Sequence, residues 1–300
     1  MRNHHTCLYA EIIMSDTNKS RIMAIDTLFP LLLKEWQQSW VNATSSQGEL
    51  KCSVELAWGD GYREPDEIIK AMDDAGIETA LVTDLLAWSY RRQTRFALDM
   101  TETITRMTEK YPGRIYGLAD YDPFNIRKSL LKLEEDVKKR QYKGVYVHIY
   151  GYDMTLDHRK MYPLYAKCEE LGLPVSMQTG HVSEAMPSEG ARPIYLDRIA
   201  CDFPGLTIIG THTGYPWVDE MISCTMKWPN IYLSISAWLP RYFHPSLITF
   251  LKTRMGAEKV IFGSNGLSWK RYLEQMNEMG LKDEALGKML FGNAKRIFGL

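Results

Sequence analysis

A chain of 300 residues, 45% hydrophobic and 24% charged, can bury one sizeable core, and its length suits one barrel or two ordinary domains. A formal net charge of -1 supplies no broad positive field for a polyphosphate backbone, so nucleic acid is not an expected partner. No stretch reaches the apolar length a bilayer demands, and five cysteines without a C-x-x-C pair favour reduced thiols and a cytoplasmic location over disulfides or a zinc cluster.

Residues 1–20 are expected to form an arm before the first strand, with Met14 and Met23 as other possible starts. From residue 21 a rhythm repeats: a short β-rich apolar run, a polar turn, then an amphipathic helical stretch. RIMAIDTLF (21–29) comes first, followed by a break at 30–63 that carries Trp36, Trp40 and Trp58 and reads as an insertion over one end of the fold. The helix pattern EPDEIIKAMDDAG leads into IETALVTDL (77–85), and QTRFALDMTETITRMTEKY into RIYGLADY (114–121). NIRKSLLKLEEDVKKRQ precedes KGVYVHIY (143–150), and MYPLYAKCEELG precedes PVSMQTG (174–180). LTIIGTHTG (206–214), NIYLSISA (230–237), the helix pattern PSLITFLKTRMG and KVIFGSNG (259–266) follow, and the tail reads as closing helices. Gly76, Gly172 and Gly256 are placed to end helices in a left-handed cap.

Runs without strict alternation fit strands buried on both faces, and alternation with helices forces parallel pairing. Eight such units predict an α/β fold, a (β/α)8 TIM barrel in one domain spanning 21–300. The alternative, an open doubly wound sheet, lacks its signatures, since neither G-x-G-x-x-G after the first strand nor G-x-x-x-x-G-K-[ST] occurs.

In a barrel the reactive groups stand at the C-terminal ends of the strands. Those positions hold Asp26, Thr83 and Asp84, Asp120 and Asp122, Tyr146 and His148, Gln178 and His181, Thr211 and His212, Ser234 and Ser236, and Ser264 and Asn265. His148, His181 and His212 are three of the seven histidines, placed where an imidazole can act as base, acid or ligand. The plain alternative is that each only hydrogen-bonds a loop carbonyl. Among Trp58, Trp88, Trp217 and Trp238, one or two are candidates for the wall of a pocket for a planar ring. Of Arg91, Arg92 and Arg241, the last is favoured as a clamp for an anionic group because of its aromatic neighbours.

The segments GLPVSMQTG, LTIIGTHTGYPWVDE, WPNIYLSISAWLP and KVIFGSNG, with the ending NAKRIFGL, resemble the amidohydrolase-related family, in the group that includes aminocarboxymuconate semialdehyde and resorcylate decarboxylases. The resemblance covers residues 21–300 and rests on H-x-G-x-P-W, F-G-S and N-A-x-R taken together. It implies a divalent metal on a D-x-H-x-H or E-x-H motif at strand one, a His at strand five and an Asp at strand eight, with a second His at strand six. This chain has Leu28 and Pro30, Gln178, and Asn265 at those ligand positions, and only His212 survives.

Leu and Pro bring no side-chain donor, and neutral amides are poor substitutes for imidazole and carboxylate. The expectation is therefore no cofactor, the alternative being a divalent metal such as zinc at a site rebuilt from Asp26, His148, His181 and His212. Without a metal, His212 is the leading general acid or base, Asp26 its orienting partner, and His148 the reserve. Gln178, Asn265, His181 and Arg241 are read as substrate-binding groups. The predicted function is metal-independent hydrolysis of a small cyclic or aromatic, carboxylated compound. Non-oxidative decarboxylation is the second reading, and a catalytically silent small-molecule-binding homologue the third. The resemblance further implies a homo-oligomer.

Overall fold

Short apolar runs buried on both faces form eight parallel strands in the computed structural model, which describes residues 23–46, 58, 61–83, 85–96 and 99–300. They are β1 Ala24–Pro30, β2 Ile77–Thr83, β3 Ile115–Ala119, β4 Gly144–Val147, β5 Val175–Gln178, β6 Ile208–Thr211, β7 Ile231–Ser234 and β8 Val260–Ile261. Each pairs with the next in chain order. The circle closes through two backbone hydrogen bonds, Thr27 N–H to the Phe262 carbonyl at 3.1 Å and Asn265 N–H to the Leu28 carbonyl at 2.8 Å. Closure removes the exposed sheet edge, and the expected (β/α)8 barrel is the fold. The expected arm, 1–20, lies outside the described residues, as do Asp84, Cys7 and Cys52. Cys168 and Cys224 are buried free thiols and Cys201 an exposed one. No helix among the described residues is long and apolar enough to cross a membrane.

Helices Pro65–Ala75, Ile126–Arg140 and Tyr162–Leu171 fall where the apolar spacing puts them. Gly76 (φ 85°) and Gly172 (φ 65°) end two of them in the left-handed region. Gly256 behaves differently. The predicted helix over 245–256 is two, Pro245–Leu251 and Arg254–Lys259, because the Thr253 hydroxyl caps a new start by accepting from Gly256 N–H at 2.9 Å. A Cβ on Gly256 would lie 2.1 Å from the Phe250 carbonyl oxygen, so glycine here permits the two helices to meet. Among the described residues of the pattern over 93–111 the helix is Thr101–Lys110, and Arg95–Phe96 instead pairs antiparallel with Ala87–Trp88.

The insertion after β1 carries helix Lys34–Ser46 and buries Trp36 and Trp40 completely, with Trp58 5.5 Å from Trp36 between ring centroids. The Trp58 indole N–H donates to the Asn265 carbonyl at 2.9 Å, which joins the insertion to the chain just after β8. The strands are shorter than their apolar runs. β1 starts at Ala24, with Met23 before it exposed. β6 ends at Thr211 because His212 and Thr213 both adopt φ 59°, and the β8 run bends away at Asn265 and Gly266, also at positive φ. These turns carry the strand-end side chains across the mouth of the barrel.

Candidate active site

At the seam between β1 and β8, Asp26 is fully buried and its carboxylate accepts four hydrogen bonds. They come from Leu28 N–H at 3.0 Å, Ser264 N–H at 2.9 Å, the Ser264 hydroxyl and the Trp269 indole N–H at 2.6 Å. Burial pushes this carboxyl up to about 6 against the pull of those donors. All its acceptor capacity is taken up within the seam. The expected pairing of Asp26 with His212 is therefore not made, and Asp26 braces the first strand against the last.

His212 is buried, and its Nδ1 shares a 2.8 Å hydrogen bond with Ser236 Oγ, which also accepts from the His212 backbone N–H at 3.0 Å. Two bonds to one hydroxyl from the β7 loop fix the ring, and Nε2 has no hydrogen-bond partner among the described residues. Burial, then repulsion from His148 and His181, holds the imidazole down at about 3, so in the free protein it is neutral and basic only weakly. His148 is likewise buried and held at about 4 by burial, with its ring edge-on to Tyr150. His181 is exposed on the rim, 5.4 Å from Tyr215 and 5.5 Å from Trp238 between ring centroids. The three strand-end histidines thus gather at one mouth, close enough for His148 and His181 to act on His212 through charge.

The other predicted groups divide. Gln178 is buried and its Oε1 accepts from the Tyr146 hydroxyl at 2.7 Å. The Asn265 side-chain amide makes no hydrogen bond among the described residues, although its backbone is tied on both sides, so the amide is available. Arg241 is not brought to this mouth. It is exposed, stacked on Tyr242 at 4.6 Å, beside Ile248, Gln275 and Glu278 on the outer helices. The aromatic it stacks on, Tyr242, is exposed, whereas Phe243 is buried. Trp238 stands at the rim with His181, whereas Trp58 buttresses Asn265 and Trp88 packs 5.2 Å from Tyr152.

Sequence reasoning missed Tyr150 and Glu184. The Tyr150 hydroxyl donates to the Gly180 carbonyl at 3.0 Å, and Glu184 is buried in the loop after β5; burial first, with the Glu184 charge adding to it, raises both Tyr146 and Tyr150 above the ordinary phenol range. An open cleft of about 580 Å³ runs beside Glu184, with Arg91 and Met186 on its walls. Nothing in HVSEAMPSEG singles out one glutamate. Tyr150, four residues beyond the inward-facing Tyr146, was the only one with a positional signal.

Several solved structures share this fold. An uncharacterised TIM-barrel protein from Bordetella bronchiseptica matches with a TM-score of 0.70 and 24% identity, over 92% of this chain and 98% of that one. A 2,6-dihydroxybenzoate decarboxylase from Rhizobium matches with a TM-score of 0.68 and 15% identity, over 92% and 98%. A 5-carboxyvanillate decarboxylase from Novosphingobium aromaticivorans, complexed with manganese and 4-hydroxy-3-methoxy-5-nitrobenzoic acid, matches at 0.68 and 15%, over 93% and 96%.

The expectation that this chain has no cofactor is corrected by these neighbours, because decarboxylase structures of the same fold hold manganese. The donors of this chain do not match such an ion. Leu28 and Pro30 bring none, the Gln178 oxygen is engaged by Tyr146, and no three His, Cys, Asp or Glu among the described residues are grouped to hold a metal. The rebuilt zinc site from Asp26, His148, His181 and His212 is not assembled either, its one carboxylate being bound by Ser264 and Trp269. A family model for amidohydrolases matches residues 55–300, the barrel from just before its second strand to the C-terminus, and so the chain belongs to the amidohydrolase family and is an enzyme of hydrolase or lyase type.

Proposed function

We propose that this chain is a non-oxidative decarboxylase of small hydroxylated aromatic acids, with His212 as its proton carrier. The observation that carries the reading is the His212 imidazole, buried at the barrel mouth, anchored through Nδ1 and open at Nε2. The decarboxylase reading, second at the sequence level, is better supported than hydrolysis, because neighbours of this fold carry out decarboxylation of hydroxylated benzoates.

In this reaction the bond between the ring and its carboxylate breaks, its electron pair returns to the ring carbon, that carbon takes a proton, and CO2 leaves. A neutral imidazole suits it. His212 Nε2 accepts the proton of a ring hydroxyl, which raises electron density on the ring, and the imidazolium so formed delivers that proton to the carbon. The substrate's negative charge favours the protonated ring in that step, whereas burial keeps it neutral beforehand. Gln178 and Asn265 grip polar ring substituents, and His181 with Trp238 lies against the ring plane at the rim.

The test is incubation of the purified chain with 2,6-dihydroxybenzoate and related hydroxybenzoates, with and without added manganese. CO2 and the matching phenol are the expected products. Hydrolysis of aryl esters or lactones, with no CO2 from any hydroxybenzoate, overturns the reading.

A further inference from the structure

Three polar atoms in the barrel wall lack a hydrogen-bond partner although each is sealed from solvent: His148 Nδ1, Thr211 Oγ1 and Ser234 Oγ. Strand register puts them on one level. Gln178 of β5 pairs with Thr211 of β6, and the pairing of Gly210 with Leu233 sets Thr211 beside Ser234 of β7. On the other side Val147 pairs with Met177, which sets His148 beside Gln178. Neighbours in parallel register project to the same face, so His148, Gln178, Thr211 and Ser234 form one polar rung across four consecutive strands. That face is the interior. Ser234 Oγ lies 3.3 Å from where a Cβ on Gly263 would stand, with the Leu28 and Ser236 Cβ atoms at 3.3 and 3.2 Å from the same point.

Buried hydroxyls are almost always satisfied, and leaving one unpaired costs folding free energy. A rung that keeps three such atoms is satisfied only when something else arrives. Its chemistry says what. Two hydroxyls and a neutral imidazole each offer one donor, and none of them carries charge. The buried carboxylates are engaged elsewhere: Asp26 accepts from Ser264 and Trp269, Asp120 and Asp136 pair with Lys132, and Glu184 accepts from the Ser183 hydroxyl. The Thr211 hydroxyl stands near the Tyr146 oxygen, whose own proton goes to Gln178, and Thr211 Oγ1 meets no partner at hydrogen-bond geometry. His212 follows Thr211 directly in the chain.

We propose that this rung is the binding site for a carboxylate, the two oxygens receiving hydrogen bonds from the Thr211 and Ser234 hydroxyls and His148 Nδ1–H, and that its ligands are small aromatic monocarboxylates. The assignment rests on the decarboxylase reading for its substrate class. It adds that the leaving group is held by neutral donors, so that the grip weakens when charge is lost as CO2 forms.

The experiment is titration calorimetry of the full chain with benzoate and with benzamide, which keeps the ring and lacks the charge. Benzoate is expected to bind at least about tenfold more tightly. Thr211→Val and Ser234→Ala, each removing one hydroxyl with little change of shape, are expected to weaken benzoate about tenfold apiece and benzamide less, because its single carbonyl oxygen accepts without a charge. Melting curves of both variants are expected to stay at or above wild type, because an unpaired group has been removed. Equal binding of the two probes, no binding of benzoate, or benzoate affinity unmoved in both variants overturns the assignment. Benzoate bound as described with no CO2 released from hydroxybenzoates leaves the rung standing and the decarboxylase reading fallen. CO2 release with a KM insensitive to both substitutions does the reverse.

Discussion

Two buried polar regions of the same barrel are built on opposite rules. At the β1–β8 seam every oxygen lone pair of Asp26 is met by a donor, from Leu28, Ser264 and Trp269. Along the β4–β7 arc, His148, Thr211 and Ser234 each leave a buried polar atom unmet. A saturated network locks geometry, because removing any member strands another, whereas an unsaturated one keeps binding capacity in reserve. The carboxylate read as catalytic in the sequence is thus bound within the seam by Leu28, Ser264 and Trp269.

The largest effect that would sharpen this contrast is on turnover. His212→Asn keeps a residue tolerant of φ 59° and removes the proton carrier, so kcat/KM for hydroxybenzoate decarboxylation is expected to fall by about 10²- to 10⁴-fold with the melting temperature little changed. At the seam the loss should appear in stability instead. Asp26→Ala leaves several buried donors without an acceptor and is expected to cost roughly 3 kcal/mol or more in urea unfolding. Should Asp26→Ala fold as stably as wild type, the seam is not the brace described.

The two regions also respond oppositely to pH. Asp26 titrates at about 6 in the fold against 3.8 ordinarily, so the folded state holds an extra proton between those values. Its contribution is full below about 3.8 and is lost as pH rises through 6. His148, held at about 4 against 6.5, contributes above 6.5 and loses that contribution as pH falls through 4. Stability measured from pH 4 to 7 should therefore rise more steeply with pH in Asp26→Asn than in wild type, and less steeply in His148→Asn. Parallel curves in all three would break the comparison. The smallest effect belongs to the rung, where Thr211→Val and Ser234→Ala should change stability by no more than about 1 kcal/mol, in the favourable direction.

The barrel itself was legible because its signal is local: eight apolar runs, each bounded by turn residues, and a polar side chain at the end of each. That same logic placed His148, Gln178 and His212 at the ends of their strands. Partnerships were not legible. Ser264 and Trp269 reach Asp26 across 238 and 243 residues, and no spacing rule foretells that they exhaust its oxygens before His212 could share them. Arg241 was chosen for nearby aromatics, which the sequence shows without their direction, and the turn after β7 leaves Arg241 stacked on the exposed Tyr242. Glu184 lay in a loop with no periodicity, where burial depends on what packs over it. The three unpaired atoms are a property of register across four strands and appear only when the strands are aligned.

The central claim, that His212 moves a proton to a ring carbon as CO2 departs, is met most directly by running the reaction in D2O with carboxyl-labelled 2,6-dihydroxybenzoate. One deuterium on the ring carbon that bore the carboxylate, one labelled CO2 per ring, and loss of both in His212→Asn are the predicted results. Turnover of the same substrate at the wild-type rate by His212→Asn would contradict it.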